Sequence, residues 1–159
     1  IMYREKIEEL KKWKQSPDRK PLIIRGARQV GKTWLMKEFG EKYYDKCAYI
    51  NFDDNSRMTK LFEEDFDLDR IIQGLKIESG VNIEAENTLI ILDEIQETPK
   101  ALKALKYFCE NAREYHIISA GSLLGVAIHE GTSFPVGKVD FLDLKPLSFF
   151  EFIEAMRRK

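Results

Sequence analysis

The stretch that most constrains this chain is Leu22-Ile23-Ile24-Arg25-Gly26-Ala27-Arg28-Gln29-Val30-Gly31-Lys32-Thr33. A short apolar run ends at Gly26, four residues intervene, and Gly31-Lys32-Thr33 opens a helical pattern. This is G-x-x-x-x-G-K-[ST] with a strand before it and a helix after it. Gly26 and Gly31 admit backbone turns closed to residues with a Cβ, so successive N–H groups point inward as an anion nest. The first turn of the helix adds unpaired N–H groups and the positive end of its dipole. Lys32 serves as a mobile cation for β and γ phosphates, and the Thr33 hydroxyl as a ligand for Mg²⁺. The candidate nucleotide contacts are therefore Gly26, Ala27, Arg28, Gln29, Val30, Gly31, Lys32 and Thr33, with Trp34 directly behind them. The bare pattern arises by chance in roughly one chain of this length in a few hundred. The alternative is a Gly-rich strand-to-helix turn that binds nothing.

A second constellation is Leu89-Ile90-Ile91-Leu92-Asp93-Glu94. Four apolar residues without alternation predict a central strand buried on both faces. Two adjacent acids end it, sixty residues after Thr33, as in the Walker B strand of a P-loop ATPase. Asp93 is the candidate Mg²⁺ ligand, direct or through water, together with Thr33. Glu94 and Lys32 are the candidate catalytic residues, Glu94 by polarising the attacking water. The fourth strand in chain order, Tyr115-His116-Ile117-Ile118-Ser119, exits into Ala120-Gly121-Ser122. Ser119 and Ser122 are candidates for sensing the γ phosphate, and an ordinary strand-end turn is the equal alternative.

At 159 residues the chain is one domain's worth. Its formal charge of -1 gives no global pull toward nucleic acid or anionic membrane. Residues 1–37 carry eleven Lys/Arg against four Asp/Glu, and 51–70 carry seven acids against three bases. Solvated helix faces around a phosphate site explain the first excess more simply than a polyanion patch. Cys47 and Cys109 read as reduced core residues of a cytosolic protein, so the expected location is cytoplasmic. The longest mainly apolar stretch, 117–128, is broken by Ser and Gly and is too short to span a bilayer. His116 and His129 share no spacing with cysteines or paired acids, which speaks against zinc.

The remaining pattern predicts an amphipathic first helix through Tyr3, Ile7, Leu10 and Trp13, stopped by Ser16-Pro17-Asp18. A helix follows from Thr33 to about Tyr44 with Trp34, Leu35 and Phe39 inward, then a strand over 47–52. Helices are predicted near 56–64 and 67–79, and from Pro99 to about Arg113. A loop over 129–137 leads to a strand over 139–144 and an amphipathic end from Phe149 to Met156.

Taken together, Arg25 to Thr33, Leu92-Asp93-Glu94-Ile95-Gln96, Gly121-Ser122, Pro146-Leu147-Ser148-Phe149 and Glu151-Phe152 resemble one family. It is the AAA-superfamily "predicted ATPases" of bacteria and archaea, in which a P-loop domain precedes a C-terminal domain of unknown function. The resemblance implies an α/β three-layer sandwich on a five-stranded parallel sheet of order 5-1-4-3-2. It also implies a Walker B strand between the P-loop strand and its neighbour. Two departures stand out. Members carry Gly-Arg where this chain has Gly137-Lys138, which weakens a finger role for Lys138. Members also extend past Phe152, so 1–145 reads as the P-loop ATPase domain and 146–159 as the start of a truncated lid or C-terminal region.

The function this implies is Mg²⁺-dependent ATP binding and hydrolysis that drives or switches an attached C-terminal domain. The cofactors implied are ATP and Mg²⁺. The partner set is the nucleotide, the absent C-terminal domain and an open choice of homo-oligomer, protein or nucleic acid, without a membrane. A non-catalytic nucleotide-gated interaction module is the main alternative. A small-molecule kinase fits less well, because 119–137 lacks the arginines of a phosphate lid and Asp93-Glu94 suits water as acceptor. A GTPase fits worse still, because no Asn-Lys-x-Asp motif follows.

Overall fold

Four apolar residues in succession need cover on both faces of a strand, and the fold is built around that requirement. A computed structural model describes residues 2–27, 31–121, 137–145, 153, 154, 156 and 157. In chain order the elements are α1 (Met2–Gln15), β1 (Leu22–Arg25), α2 (Lys32–Tyr43), β2 (Lys46–Asn51), α3 (Ser56–Glu64) and α4 (Leu68–Ser79). Then come β3 (Thr88–Asp93), a short 3₁₀ turn over Ile95–Glu97, α5 (Pro99–Asn111), β4 (His116–Gly121) and β5 (Asp140–Asp143).

Every residue of β3 is buried. Leu89 and Ile91 face α1 and α2, among Leu10, Leu35, Met36 and Phe39. Ile90 and Leu92 face the other way, among Phe62, Ile71, Leu75, Leu105 and Phe108 of α3, α4 and α5. The two helical layers and the sheet between them form an α/β sandwich.

Local signals set the helix ends. The Asn55 side chain accepts from the Met58 N–H at the start of α3, and the Asp67 side chain accepts from the Asp69 and Arg70 N–H groups at the start of α4. Gly80 ends α4 in the left-handed region at φ 71°, and Pro99 opens α5 where its missing N–H costs nothing.

All strand pairs are parallel, in the order β2-β3-β4-β1-β5, which is the expected order read from the other edge. One detail differs. β3 does not touch β1, because β4 lies between them and Ile118 stands opposite both Leu22 and Ile91. The strand carrying Asp93 therefore borders β4 and β2 instead. This happens because the chain leaves β1 for the far edge, builds β2 and returns inward, so that β4 fills the gap last.

The expected helices appear within one or two residues of their boundaries, and the strand over 139–144 appears as β5. Trp34 differs from its expected inward place. It is half-buried, with its ring 5.1 Å from that of Tyr3, while Met36 takes the core position on α2. Lying one step round the helix from Leu35, it meets the start of α1 rather than the sheet. The loop over 129–137 lies outside the described residues except Gly137, which has φ 82°. The terminal helix lies outside them except for 153, 154, 156 and 157, which are helical.

Two packing features bear on the site. A Cβ on Gly40 would sit 2.8 Å from Cys47 Sγ and 3.2 Å from Leu89 Cδ2, so the missing side chain lets α2 lie directly on β2 and β3. Both cysteines are free, and burial pushes the Cys47 thiol up to about 11.

At the opposite end of the sheet, His116 is buried. Its Nδ1 is 2.6 Å from Tyr44 Oη, and its ring meets Trp13 edge-on. Burial, with the charges of Arg19 and Lys14, lowers its pKa to about 4. The folded state thus binds a proton less readily than the unfolded chain, whose histidine titrates near 6.5. This destabilises the fold as pH falls from about 6.5 to about 4, and contributes nothing above that window. The slope approaches one proton, or about 1.4 kcal/mol per pH unit. Urea unfolding across this range should show a shallower pH dependence in His116→Gln than in wild type. Identical slopes would remove His116 from the account.

Candidate functional site

The site is assembled where β1 and β3 end and α2 begins. Gly31 sits at φ 89° and ψ 18°, a left-handed conformation that turns the chain from the loop into α2. One residue on, Lys32 is 8% exposed, and its ammonium donates to the carbonyls of Gly26 and Ala27, at 2.7 Å each. Arg28, Gln29 and Val30 lie outside the described residues.

Thr33 Oγ1 donates to Asp93 Oδ2 at 2.6 Å, tying the first turn of α2 to the end of β3. Asp93 is only 3% exposed, and its carboxylate has further donors. Tyr49 Oη donates to Oδ2 at 2.7 Å, and the Glu94 N–H donates to Oδ1 at 3.0 Å. Burial, and then Asp93 alongside, push the Tyr49 phenol well above the ordinary tyrosine range, so it remains a donor at neutral pH.

Glu94 follows with φ 56° and ψ 41°, a left-handed conformation that costs a non-glycine residue of order 1–3 kcal/mol. The surrounding structure enforces it. Asp93 is fixed on one side, and Ile95 is fully buried on the other. The Glu97 and Thr98 N–H groups close the 3₁₀ turn onto the carbonyls of Glu94 and Ile95. The half-buried Glu94 side chain accepts from Gln96 Nε2 at 2.6 Å, while Gln96 Oε1 is buried without a partner among the described residues.

Lys32, Thr33, Asp93 and Glu94 thus converge at one end of the sheet. Ser119 is set apart from them. It stands in register with Leu92 and Ile23, on the face covered by α3, α4 and α5, and its Oγ is buried without a hydrogen-bond partner among the described residues. Asp93 is on the opposite face, in register with Ala120. Ser122 lies outside the described residues. Lys138 precedes β5, at the end of the sheet remote from Lys32, and pairs with Glu110 of α5 at 3.3 Å.

The chain matches the family model described as "AAA domain" over residues 18–153. It belongs to the AAA domain family. No curated protein matches it. Among solved structures, this AAA domain is similar to the ORC1 protein of Aeropyrum pernix in complex with DNA, with a TM-score of 0.57 and 15% identity. That likeness covers 99% of this chain and 47% of the ORC1 chain. It is also similar to PCH-2 of C. elegans, with a TM-score of 0.53 and 14% identity, over 99% of this chain and 47% of that one. The chain therefore spans about half the length of each, and likeness at this identity shows the fold alone. With the family established, this is a nucleotide-binding AAA-type domain. No helix among the described residues is long and apolar enough to cross a membrane.

Sequence reasoning missed two residues. Tyr49 fell in the predicted strand over 47–52 with no role, because its link to Asp93 depends on β2 lying next to β3. Gln96 appeared only as part of a resemblance, because a 3₁₀ turn is what folds it back onto Glu94. Strand order plus alternation would have found Tyr49, since Asn51 pairs with Asp93 and Tyr49 lies two residues earlier on the same face.

Proposed function

We propose that this AAA domain binds ATP with Mg²⁺ and hydrolyses it, driving or switching an attached C-terminal domain. The observation that carries this reading is the 2.6 Å hydrogen bond from Thr33 to Asp93. It joins the helix that follows the phosphate loop to the acid that ends the central strand, with Glu94 adjacent. A hydroxyl beside a buried carboxylate is an all-oxygen donor set, which suits a hard ion that keeps water and phosphate oxygens as its other ligands. Thr33 and Asp93 would hold Mg²⁺, which supplies charge neutralisation at the phosphates. In this reading Gly26 and Ala27 to Gly31 are a Walker A turn, and Asp93-Glu94 ends a Walker B strand.

Each side chain then has a separable task. Lys32 neutralises charge on the β and γ phosphates, moving from its carbonyl partners to do so. Glu94 would orient the attacking water and accept its proton as the new oxygen–phosphorus bond forms and the bond from the γ phosphorus to the bridging oxygen breaks, releasing ADP. Backbone strain at Glu94 supports this role, since such conformations cluster at functional sites. Trp34 and the Tyr3 ring against it stand just behind the loop, and with Arg4 they are candidates to border the base. Ser119 is proposed only as a support inside the strand end.

The nucleotide-gated module has one observation in its favour. Gln96 occupies an oxygen of Glu94, an arrangement that holds the acid away from water. Titration with fluorescent ATP and GTP analogues tests the core of the reading. We expect ATP to bind the more tightly, and to bind better with Mg²⁺ than with EDTA. A clear GTP preference would overturn the ATP assignment.

The division into an ATPase domain over 1–145 and a following region from 146 is part of the same proposal. Ile153 and Met156, one helical turn apart, are 37% and 46% exposed, which supports a face that further chain covers.

A further inference from the structure

The bonding of Asp93 carries a consequence for Tyr49. An ionised carboxylate offers about four acceptor positions, two on each oxygen. Thr33 and Tyr49 take both positions on Oδ2, and the Glu94 N–H takes one on Oδ1. One position on Oδ1 is left to face a metal ion or its bound water. Which position stays open is decided by Tyr49, because the other two donors come from the element that binds the nucleotide and from the adjoining peptide.

Tyr49 is itself fixed at both ends. In register it stands opposite Ile91, so its ring runs along the strand for its hydroxyl to reach Asp93 two residues further on. The ammonium of Lys37 lies 4.0 Å from the ring centroid. Lys37 is one turn beyond Thr33 on α2, and Gly40 follows after three residues, so the three form one stripe. Gly40 brings that stripe down onto Cys47, which shares a face of β2 with Tyr49. A phenol that merely filled the sheet edge would need neither the 2.7 Å bond to a buried carboxylate nor the cation above it.

We propose that Tyr49 is a positioning residue that orients the Asp93 carboxylate for magnesium. The inference rests on the reading in which Thr33 and Asp93 hold that ion. Outer partners of a metal ligand typically contribute 10–100-fold in metal affinity. Tyr49→Phe keeps the ring and its contact with Lys37, and removes only the donor.

The test measures binding of a non-hydrolysable fluorescent ATP analogue to the full chain during Mg²⁺ titration, and again in EDTA. Wild type, Tyr49→Phe and Asp93→Asn are compared, with urea unfolding midpoints recorded for each. In Tyr49→Phe the Mg²⁺ concentration at half-saturation should rise by about 10-fold or more while affinity in EDTA stays at the wild-type value. A rise in Asp93→Asn without one in Tyr49→Phe overturns the role of Tyr49 and leaves the metal reading standing. Tighter Mg²⁺ coupling in Tyr49→Phe does the same. A change confined to the unfolding midpoint reduces Tyr49 to a structural residue. If Asp93→Asn also leaves half-saturation unmoved, the metal reading itself fails, and the proposal with it.

Discussion

Lys32→Ala should abolish turnover and weaken nucleotide binding together. In the structure Lys32 is buried and its ammonium is held by two loop carbonyls, so it is already confined beside the turn where phosphates are expected. Confinement lowers the entropy lost when it moves to an anion. A hydrogen bond to a charged group contributes about 1.5–3 kcal/mol, so nucleotide affinity should fall by roughly 10–100-fold. Charge on the transferring group grows toward the transition state, and loss of one such donor costs about 10²–10³ more in rate. Calorimetric titration and phosphate release check the two effects separately. The Gly26 and Ala27 carbonyls lie near the surface, so water replaces the lost donor and the unfolding midpoint should move little. A variant that binds normally would move the cation's task to another residue of the loop.

How much of this could be read from the sequence depends on the range of the interaction. β3 was legible because uninterrupted Leu89-Ile90-Ile91-Leu92 has only one environment that covers both faces. Its place beside β4 came only with the strand order that the family resemblance implies, because adjacency is decided by the order in which crossovers fill the sheet. The helix starts near 56, near 67 and at Pro99 were legible, because a helix start is settled within a few residues. Trp34 was misplaced because helical periodicity gives an angle around the axis but not what lies at that angle. For the site, the spacing of Gly26, Gly31, Lys32 and Thr33 names one end of the arrangement, and Asp93-Glu94 names the other. The partners that fix them, Tyr49 from a neighbouring strand and Gln96 from a turn, depend on tertiary geometry that no local pattern encodes.

Glu94→Gln and Asp93→Asn should separate chemistry from binding. Among the described residues, the Glu94 side chain takes its hydrogen bond from Gln96 and not from Gly26, Ala27 or Gly31 of the phosphate loop. Replacing its carboxylate by an amide leaves the backbone strain unchanged, and the amide oxygen can still accept from Gln96. Fold and ground-state binding should therefore persist, with ATP and Mg²⁺ held about as tightly as in wild type. Loss of general-base assistance should slow hydrolysis by about 10²–10⁴. Asp93 is different, because Thr33, Tyr49 and the Glu94 N–H all donate to it. An asparagine can receive those bonds only on one oxygen, and its NH₂ would confront a donor. Asp93→Asn should therefore impair Mg²⁺-dependent binding and turnover alike, and lower the unfolding midpoint as well. Single-turnover hydrolysis beside equilibrium binding distinguishes the two variants. If Glu94→Gln hydrolyses ATP at the wild-type rate while Asp93→Asn does not, Glu94 is an acid held at a strand end by Gln96. The strain at its backbone then serves the turn into α5, and a nucleotide-gated module becomes the better account of this domain.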